Sequence, residues 1–227
     1  ASVRDGTGQD AYSTSATAEL SANWDEATDT ESGIAGYRYA LGTTTGGTDT
    51  MPWTTIGNVL KVTKTGLTLS AGTTYYYRAY AHNTVGWAYG AELSFTTLTD
   101  PDITTQAANN IGATTVTLHA LVINNGGQLA DVRFGYSTVS GNCTDGADCT
   151  TAVCTFNATS YNGTTPWVEN TYASGSEPFV NLSGLVPNKT YYYCVQIRND
   201  VSCQCGGELS FTTSSGVNAP TAFKGIP

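Results

Sequence analysis

The clearest pattern along the chain is an alternation of side chains with a period of two, which predicts β-strands. It is sharpest over residues 73–83, TTYYYRAYAHN, where alternate positions are assigned to the core and to the outside. The set predicted to face inward is Tyr75, Tyr77, Ala79 and Ala81. The set predicted to face outward is Tyr76, Arg78, Tyr80 and His82. Residues 92–97, ELSFTT, continue the alternation with Leu93 and Phe95 inward.

This pattern occurs twice, because residues 69–97 align without gaps with residues 185–213. The second inward set becomes Tyr191, Tyr193, Val195, Ile197, Leu209 and Phe211. An upstream match pairs residues 37–43, YRYALGT, with residues 132–138, VRFGYST. The distance along the chain between these two segments is 21 residues shorter than the distance between 69–97 and 185–213. Self-similarity this close indicates one structural unit used twice, with an insertion in the second copy.

We therefore predict an all-β chain of two tandem β-sandwiches, since short strands separated by frequent turns are typical of that fold. The first unit spans 1–98 and the second spans 99–213, with the insertion near 139–162. Residues 214–227 form a C-terminal tail that belongs to neither core. No stretch has a helical period; residues 16–27, ATAELSANWDEA, fit a strand and loop better.

Two tyrosine motifs carry a resemblance to fibronectin type III domains. LSAGTTY at 69–75 and LVPNKTY at 185–191 resemble that family's L-x-P-x-T-x-Y signature. The resemblance implies that Tyr75 and Tyr191 are buried, with hydroxyls bonded to upstream backbone. Trp24 resembles the family's core tryptophan; the second unit lacks it, and we expect Leu118 or Leu121 to fill that space.

The resemblance covers nearly the whole of both units. The phrases LGTTTGGTDT and YGAELSFTT look like the versions of the fold found in bacterial and archaeal secreted or surface proteins. It therefore implies Ig-like, fibronectin type III-like sandwiches in tandem, the second carrying a cysteine-rich insertion.

All six cysteines lie in the second unit, which favours disulfides and an oxidising compartment. They are Cys143, Cys149, Cys154, Cys194, Cys203 and Cys205. A zinc site is the alternative, but the spacings lack the C-x2-C pairs of common structural zinc sites. Six cysteines allow 15 pairings. Our hypothesis joins Cys194 to the hairpin that carries Cys203 and Cys205, with at least one more bond within 143–154.

Charge excludes several classes of partner. The net charge is −9, no basic stripe occurs, and neither nucleic acid nor anionic lipid is an expected partner. No apolar run reaches the roughly 18 residues of a membrane span. Charged residues make up only 12%, so Thr, Ser, Asn and Gly must supply the polar surface, as in extracellular β-proteins. The polar start, ASVRDGTGQD, is expected of a mature or trimmed secreted chain.

Candidate catalytic groups are sparse. His82 and His119 are the only histidines, and no nucleophile motif such as G-x-S-x-G accompanies them. The carboxylate cluster is Asp25, Glu26, Asp29 and Glu31. Such a cluster can hydrolyse glycosides or hold calcium, but a solvated loop is the expected interpretation, and the pair Asp145 and Asp148 is weaker still. We expect no enzyme activity, no cofactor and no metal.

Three surface features remain. Trp87 and Trp167 lie in predicted loops and are the candidates for an aromatic platform that binds glycan, although lone surface aromatics are common. Five N-x-[ST] sequons offer glycosylation sites at Asn142, Asn157, Asn162, Asn181 and Asn188. The tail residues Val217, Thr221 and Phe223 are candidates for donating a strand to a neighbouring subunit.

These patterns lead us to expect a secreted, non-catalytic structural protein of the cell surface. We expect it to be a subunit of an appendage, filament or sheath that assembles by self-association or with other surface proteins. The alternative is an adhesin or carbohydrate-binding accessory segment of a larger secreted protein.

Overall fold

Every regular element is a β-strand in the part of the chain that the computed structural model describes, namely residues 3–5, 13–141, 161 and 163–216. The predicted all-β class is therefore confirmed. The chain divides into two units, Ala1–Thr99 and Asp100–Pro227, each with its own hydrophobic core.

The first unit contains two sheets. One has three strands in the order β1-β3-β6, and the other has the order β2-β9-β7-β4-β5 with β8 beside β7. All pairings are antiparallel except the parallel pairing of β2 with β9. The strands are β1 Val3–Asp5, β2 Ser13–Thr14, β3 Glu19–Trp24, β4 Gly36–Gly42, β5 Met51–Gly57, β6 Lys61–Thr65, β7 Thr74–His82, β8 Trp87–Tyr89 and β9 Leu93–Thr97.

The second unit repeats this plan. Its three-stranded sheet has the order β10-β11-β15, and its larger sheet has the order β13-β12-β16-β17, with β14 beside β12 and β18 beside β16. The strands are β10 Asp102–Asn109, β11 Thr115–Asn124, β12 Ala130–Ser137, β13 Gly163–Thr164, β14 Val168–Tyr172, β15 Phe179–Ser183, β16 Thr190–Arg198, β17 Cys203–Cys205 and β18 Leu209–Thr212.

The core of the first unit lies between its sheets. All four residues of the inward set on β7 are buried, as the alternation predicts. Trp24 on β3 is only 4% exposed, and its ring lies 5.7 Å from Tyr37 and 6.5 Å from Tyr39. Residues of both sheets join one cluster, so the two sheets pack face to face as a sandwich.

The core of the second unit follows the same alternation on β16, whose inward set is fully or almost fully buried. Leu118 is completely buried in this core, whereas Leu121 is only partly buried. Leu209 lies opposite the inward-facing Tyr193, so its direction agrees with the alternation, but the side chain is 38% exposed and not buried. Leu209 begins β18, which among the described strands pairs only with β16, so it lies at the margin of the sheet.

Both tyrosine corners have the geometry that the resemblance implies. The Tyr75 hydroxyl accepts a hydrogen bond from the backbone N–H of Ser70 at 2.9 Å. The Tyr191 hydroxyl accepts one from Val186 at the same distance. In unit 1 the buried hydroxyl of Thr97 donates to the carbonyl of the same Ser70, and in unit 2 that of Thr213 donates to the carbonyl of Val186. Each corner thus ties the start of a core strand to the loop that precedes it.

Candidate functional site

The outer face of the larger sheet in unit 1 carries a cluster of aromatic and arginine side chains. It takes one or two residues from each of four strands, β4, β5, β7 and β8. We call it the outer aromatic face and define it as Arg38, Trp53, Arg78, Tyr80, Trp87 and Tyr89. Strand register brings its members together, because Tyr80 lies opposite both Arg38 and Tyr89.

Tyr80 forms the floor of this face. The Trp53 ring stacks on it at 4.2 Å, and Tyr89 meets it edge-on at 4.2 Å. Tyr80 is consequently only 5% exposed, although it belongs to the outward set. Its direction agrees with the alternation, but its exposure does not, since neighbouring rings cover it.

Two guanidinium groups lie among the rings. Arg38 Cζ lies 3.8 Å from the ring centroid of Trp87, 4.8 Å from that of Trp53 and 5.1 Å from that of Tyr80. These distances are typical of cation–π contacts. Arg78 lies farther from the rings of Trp53 and Tyr80, at 5.7 and 5.4 Å.

Arg78 also forms an ion pair, 3.4 Å from Glu92. The Glu92 carboxylate accepts a hydrogen bond from the N–H of Gly46 at 2.9 Å. Glu92 therefore neutralises Arg78 and ties the loop after β4 to the sheet. Sequence reasoning missed this carboxylate, although ELSFTT repeats in both units and could have marked it.

Two rings of the outer aromatic face remain open to solvent. Trp87 is 45% exposed and Tyr89 is 69% exposed. They are two residues apart on β8, so their side chains lie on the same side of the strand. Trp87 therefore belongs to a strand and not to the loop that the sequence predicts. Its exposure agrees with its choice as an aromatic candidate.

A cavity of about 260 Å³ adjoins Trp87, and Asp29, His82 and Asn83 help to line it. His82 does not stand free in solvent, since its ring lies 4.5 Å from that of Trp87. The Asp29 carboxylate accepts hydrogen bonds from the N–H groups of Ser32 and Glu31 and from the Asn83 amide. The two backbone bonds chiefly hold the pKa of Asp29 below its usual value.

The predicted carboxylate cluster therefore lies on a loop whose Asp29 serves as an internal anchor. Asp25 forms an ion pair with Arg4 at 2.9 Å. No three His, Cys, Asp or Glu side chains of the described residues are grouped to hold a metal ion. Asp145 and Asp148 lie outside those residues.

The equivalent face of unit 2 carries cysteines in place of rings. Cys194, Cys203 and Cys205 occupy the positions of Arg78, Trp87 and Tyr89 in the repeat. All three are buried and disulfide-bonded. Tyr161 packs with them, and its hydroxyl donates a hydrogen bond to Glu208, the equivalent of Glu92. The other predicted cysteines, Cys143, Cys149 and Cys154, lie outside the described residues.

Trp167 lies in a loop before β14, as predicted, but it is half-buried. The guanidinium groups of Arg133 and Arg198 lie 4.5 and 4.3 Å from its ring centroid. Arg133 Nε donates to the side-chain carbonyl of Gln196 at 2.8 Å. Burial and, secondarily, the nearby Arg198 lower the pKa of Arg133. Trp167 is thus a poorer platform than Trp87, because it is less exposed and two guanidinium groups lie against its ring where Trp87 has one.

The remaining candidates are scattered. His119 lies on β11, its buried Nε2 has no hydrogen-bond partner among the described residues, and its ring lies 6.2 Å from Phe179. Asn181 is exposed on β15, where its Oδ1 accepts a hydrogen bond from Thr117, and Asn188 is exposed with a φ of 53°. The other predicted sites lie outside the described residues, namely Asn142, Asn157, Asn162, Val217, Thr221 and Phe223.

No helix of the described residues is long and apolar enough to cross a membrane. No protein-family profile matches the chain. No curated protein matches it either.

Solved structures give distant likenesses. The chicken CNTN1 FN1-FN3 domains align over 89% of this chain with 13% identity and a TM-score of 0.45, and the chain spans 64% of that fragment. The sensor domain of the anti-sigma factor RsgI4 from Pseudobacteroides cellulosolvens aligns over 52% of this chain and 97% of its own length, with 14% identity and a TM-score of 0.35. Likenesses this weak carry no argument about what the chain does.

Proposed function

We propose that the chain is a non-catalytic, extracellular carbohydrate-binding segment that holds glycan on the outer aromatic face of unit 1. The observation that carries this proposal is the exposed pair of rings on β8, Trp87 and Tyr89. Ligand sites combine apolar and aromatic surface with a few fixed polar groups, and this face offers both. The flat rings suit the C–H-rich face of a pyranose ring better than they suit a deep pocket ligand.

Rigidity supports the same proposal. Arg38 lies against the indole of Trp87, and Tyr80 lies against the phenol of Tyr89, so both exposed rings are held before any ligand arrives. Side chains that are already ordered lose less conformational entropy on binding than mobile ones do.

A glycan array or titration calorimetry with the oligosaccharide identified on it tests the proposal. Replacing Trp87 with alanine should weaken binding by about 5- to 150-fold, because an aromatic contact that is buried on binding contributes roughly 1–3 kcal/mol. Trp167→Ala is the matched control, since it removes the same side chain from unit 2, and it should leave the affinity unchanged. Equal losses in both variants, or no binding by the parent protein, would contradict the proposal.

The extracellular part of the proposal is supported by the disulfides of Cys194, Cys203 and Cys205, because stable disulfides are typical of oxidising compartments. We further propose that none of these bonds joins two of the three. Cys203 and Cys205 are two residues apart on one strand, and they lie opposite Arg198 and Gln196, not opposite Cys194. The Cα atoms of residues two apart on one strand, or diagonally opposite on paired strands, are about 7 Å apart, which is beyond the usual Cα separation of a disulfide.

Only three other cysteines exist in the chain. The proposed connectivity therefore joins each sheet cysteine to one cysteine of the insertion, which leaves six of the 15 pairings open. It replaces the hypothesis that Cys194 bonds to the hairpin, and it ties the insertion covalently to the sheet of unit 2.

A subunit of a surface filament is the second proposed function, favoured by the edge strand β15. Within the described residues β15 pairs only with β11, and its first residue, Phe179, is 60% exposed. An unpaired edge with an exposed apolar side chain is a template for strand addition, the role proposed for the tail at 214–227.

Light scattering on the native protein tests assembly. If β15 accepts a strand, the protein should form polymers, and Phe179→Asp should yield monomers because the charge blocks the edge. Leu129→Asp alters another exposed apolar side chain of unit 2, away from β15, and should leave polymers intact. A parent protein that is monomeric at all concentrations would exclude this function and leave the carbohydrate proposal standing.

A further inference from the structure

We propose that Arg38 makes the outer aromatic face selective for sugars that carry a carboxylate, such as the hexuronic acids of acidic polysaccharides. This inference rests on the proposed carbohydrate-binding function and specifies its ligand class. In the bound state the guanidinium group of Arg38 pairs with the carboxylate, while the sugar ring lies against the exposed aromatic side chains of β8.

The first argument is the state of Arg38 itself. It makes cation–π contacts with Trp53, Tyr80 and Trp87, but it forms no hydrogen bond or ion pair with any residue that the structure describes. Its Nε is buried without a hydrogen-bond partner, whereas its terminal nitrogens are not enclosed in this way. The guanidinium group of Arg38 is thus held among the rings, and its terminal N–H groups are available to a ligand.

The second argument comes from the repeat. Arg133 is the equivalent of Arg38 in unit 2, and its Nε donates to Gln196, which stands at the position of Tyr80. Unit 2 therefore contains a built-in acceptor for this arginine, and unit 1 has an aromatic ring there instead. Unit 2 also has cysteines where unit 1 has Trp87 and Tyr89. The unpaired arginine and the exposed rings occur together, in the same unit.

The third argument is charge. Arg78, the other cation of the face, is already paired with Glu92, so Arg38 supplies the uncompensated positive charge. The chain as a whole has a net charge of −9, with nine basic residues against 18 acidic ones. A general attraction for polyanions is therefore not expected, and selectivity must come from this local site.

The chemistry of the ligand follows from these groups. A guanidinium group is planar and matches a carboxylate through two parallel N–H···O bonds, which gives orientation as well as affinity. The aromatic contacts that already hold Arg38 restrict its side chain, so less entropy is lost on pairing. A ring-shaped ligand with an attached carboxylate satisfies both parts of the face, which is the description of a uronic acid.

Titration calorimetry on the full chain with hexagalacturonic acid and its carboxyl-reduced counterpart tests the inference. The parent protein should bind the acidic hexamer at least about 10-fold more tightly, because the reduced hexamer lacks the carboxylate that forms charge-assisted hydrogen bonds with Arg38. Arg38→Met should abolish this difference, so that the variant binds the acidic and the reduced hexamer with equal affinity. Arg38→Lys keeps the charge without the planar fork and should retain only part of the selectivity.

Arg4→Met is the control, because it removes the same charge from unit 1 away from the face, and it should not alter selectivity. Equal binding of both hexamers by the parent protein would overturn the inference on Arg38 but leave the proposed function in place. If the parent protein binds neither hexamer, the inference on Arg38 is overturned. If it binds no glycan at all, the proposed function is overturned as well. Equally tight binding of poly-glutamate that Arg38→Met abolishes would point to an acidic peptide instead and would also overturn the inference.

Discussion

Replacing Trp24 with alanine should lower the free energy of unfolding of unit 1 by about 3–5 kcal/mol, the usual cost of removing a buried aromatic side chain. The indole lies between the sheets, next to Tyr37 and Tyr39, and is 4% exposed. Its Nε1 has no hydrogen-bond partner among the described residues, so the loss comes from packing and from the cavity left behind.

Chemical denaturation followed by intrinsic fluorescence and circular dichroism measures this loss. The two units have separate cores, so the variant should shift one transition and leave the other in place. Val85→Ala is the control, because this side chain is 84% exposed and its loss should change stability by less than about 0.5 kcal/mol. A loss below about 1 kcal/mol for Trp24→Ala would contradict the assigned core.

The core residues could be predicted from the sequence because their burial follows from the side of the strand on which each side chain lies. A period of two fixes which side of the strand each residue faces, and the repeat applies the same rule twice. Tyr75 and Tyr191 are buried for this reason, and so are their inward neighbours on β7 and β16. The repeat also indicates two units of the same fold without any knowledge of tertiary contacts.

The outer aromatic face could not be predicted in the same way. Alternation shows that Tyr80 points outward, but it does not show that Trp53, from a strand outside the repeat, covers it at 4.2 Å. The cation–π contacts of Arg38 likewise depend on the register of β4 against β5 and β7. Side-chain partners on a sheet surface are set by strand order and register, which periodicity leaves open.

Cysteine pairing marks a further limit of sequence reasoning. The even count and the single-unit location favoured disulfides, but the choice of partners required the register that places Gln196, and not Cys194, opposite Cys205. Proximity along the chain was a poor guide, because alternate residues on one strand share a face without being close enough to bond.

Reducing the disulfides should destabilise unit 2 and leave unit 1, which has no cysteine, unchanged. The proposed bonds link 143–154 to 194–205 and so close loops of about 40 to 60 residues, each worth roughly 4 kcal/mol through the entropy of the unfolded chain. Strain and residual structure usually reduce this figure, so about 2–5 kcal/mol is expected for the first bond removed.

Calorimetry with and without a phosphine reductant measures this effect, and the transition of unit 1 provides the internal control. Non-reducing peptide mapping then tests the connectivity. Each cross-linked pair of peptides should contain one of Cys143, Cys149 and Cys154 and one sheet cysteine. A disulfide between any two of Cys194, Cys203 and Cys205 would disprove the proposed pairing. Because the sheet cysteines take the places of Trp87, Tyr89 and Arg78, the expected result would mean that unit 2 uses for covalent cross-links the positions at which unit 1 presents side chains to a ligand.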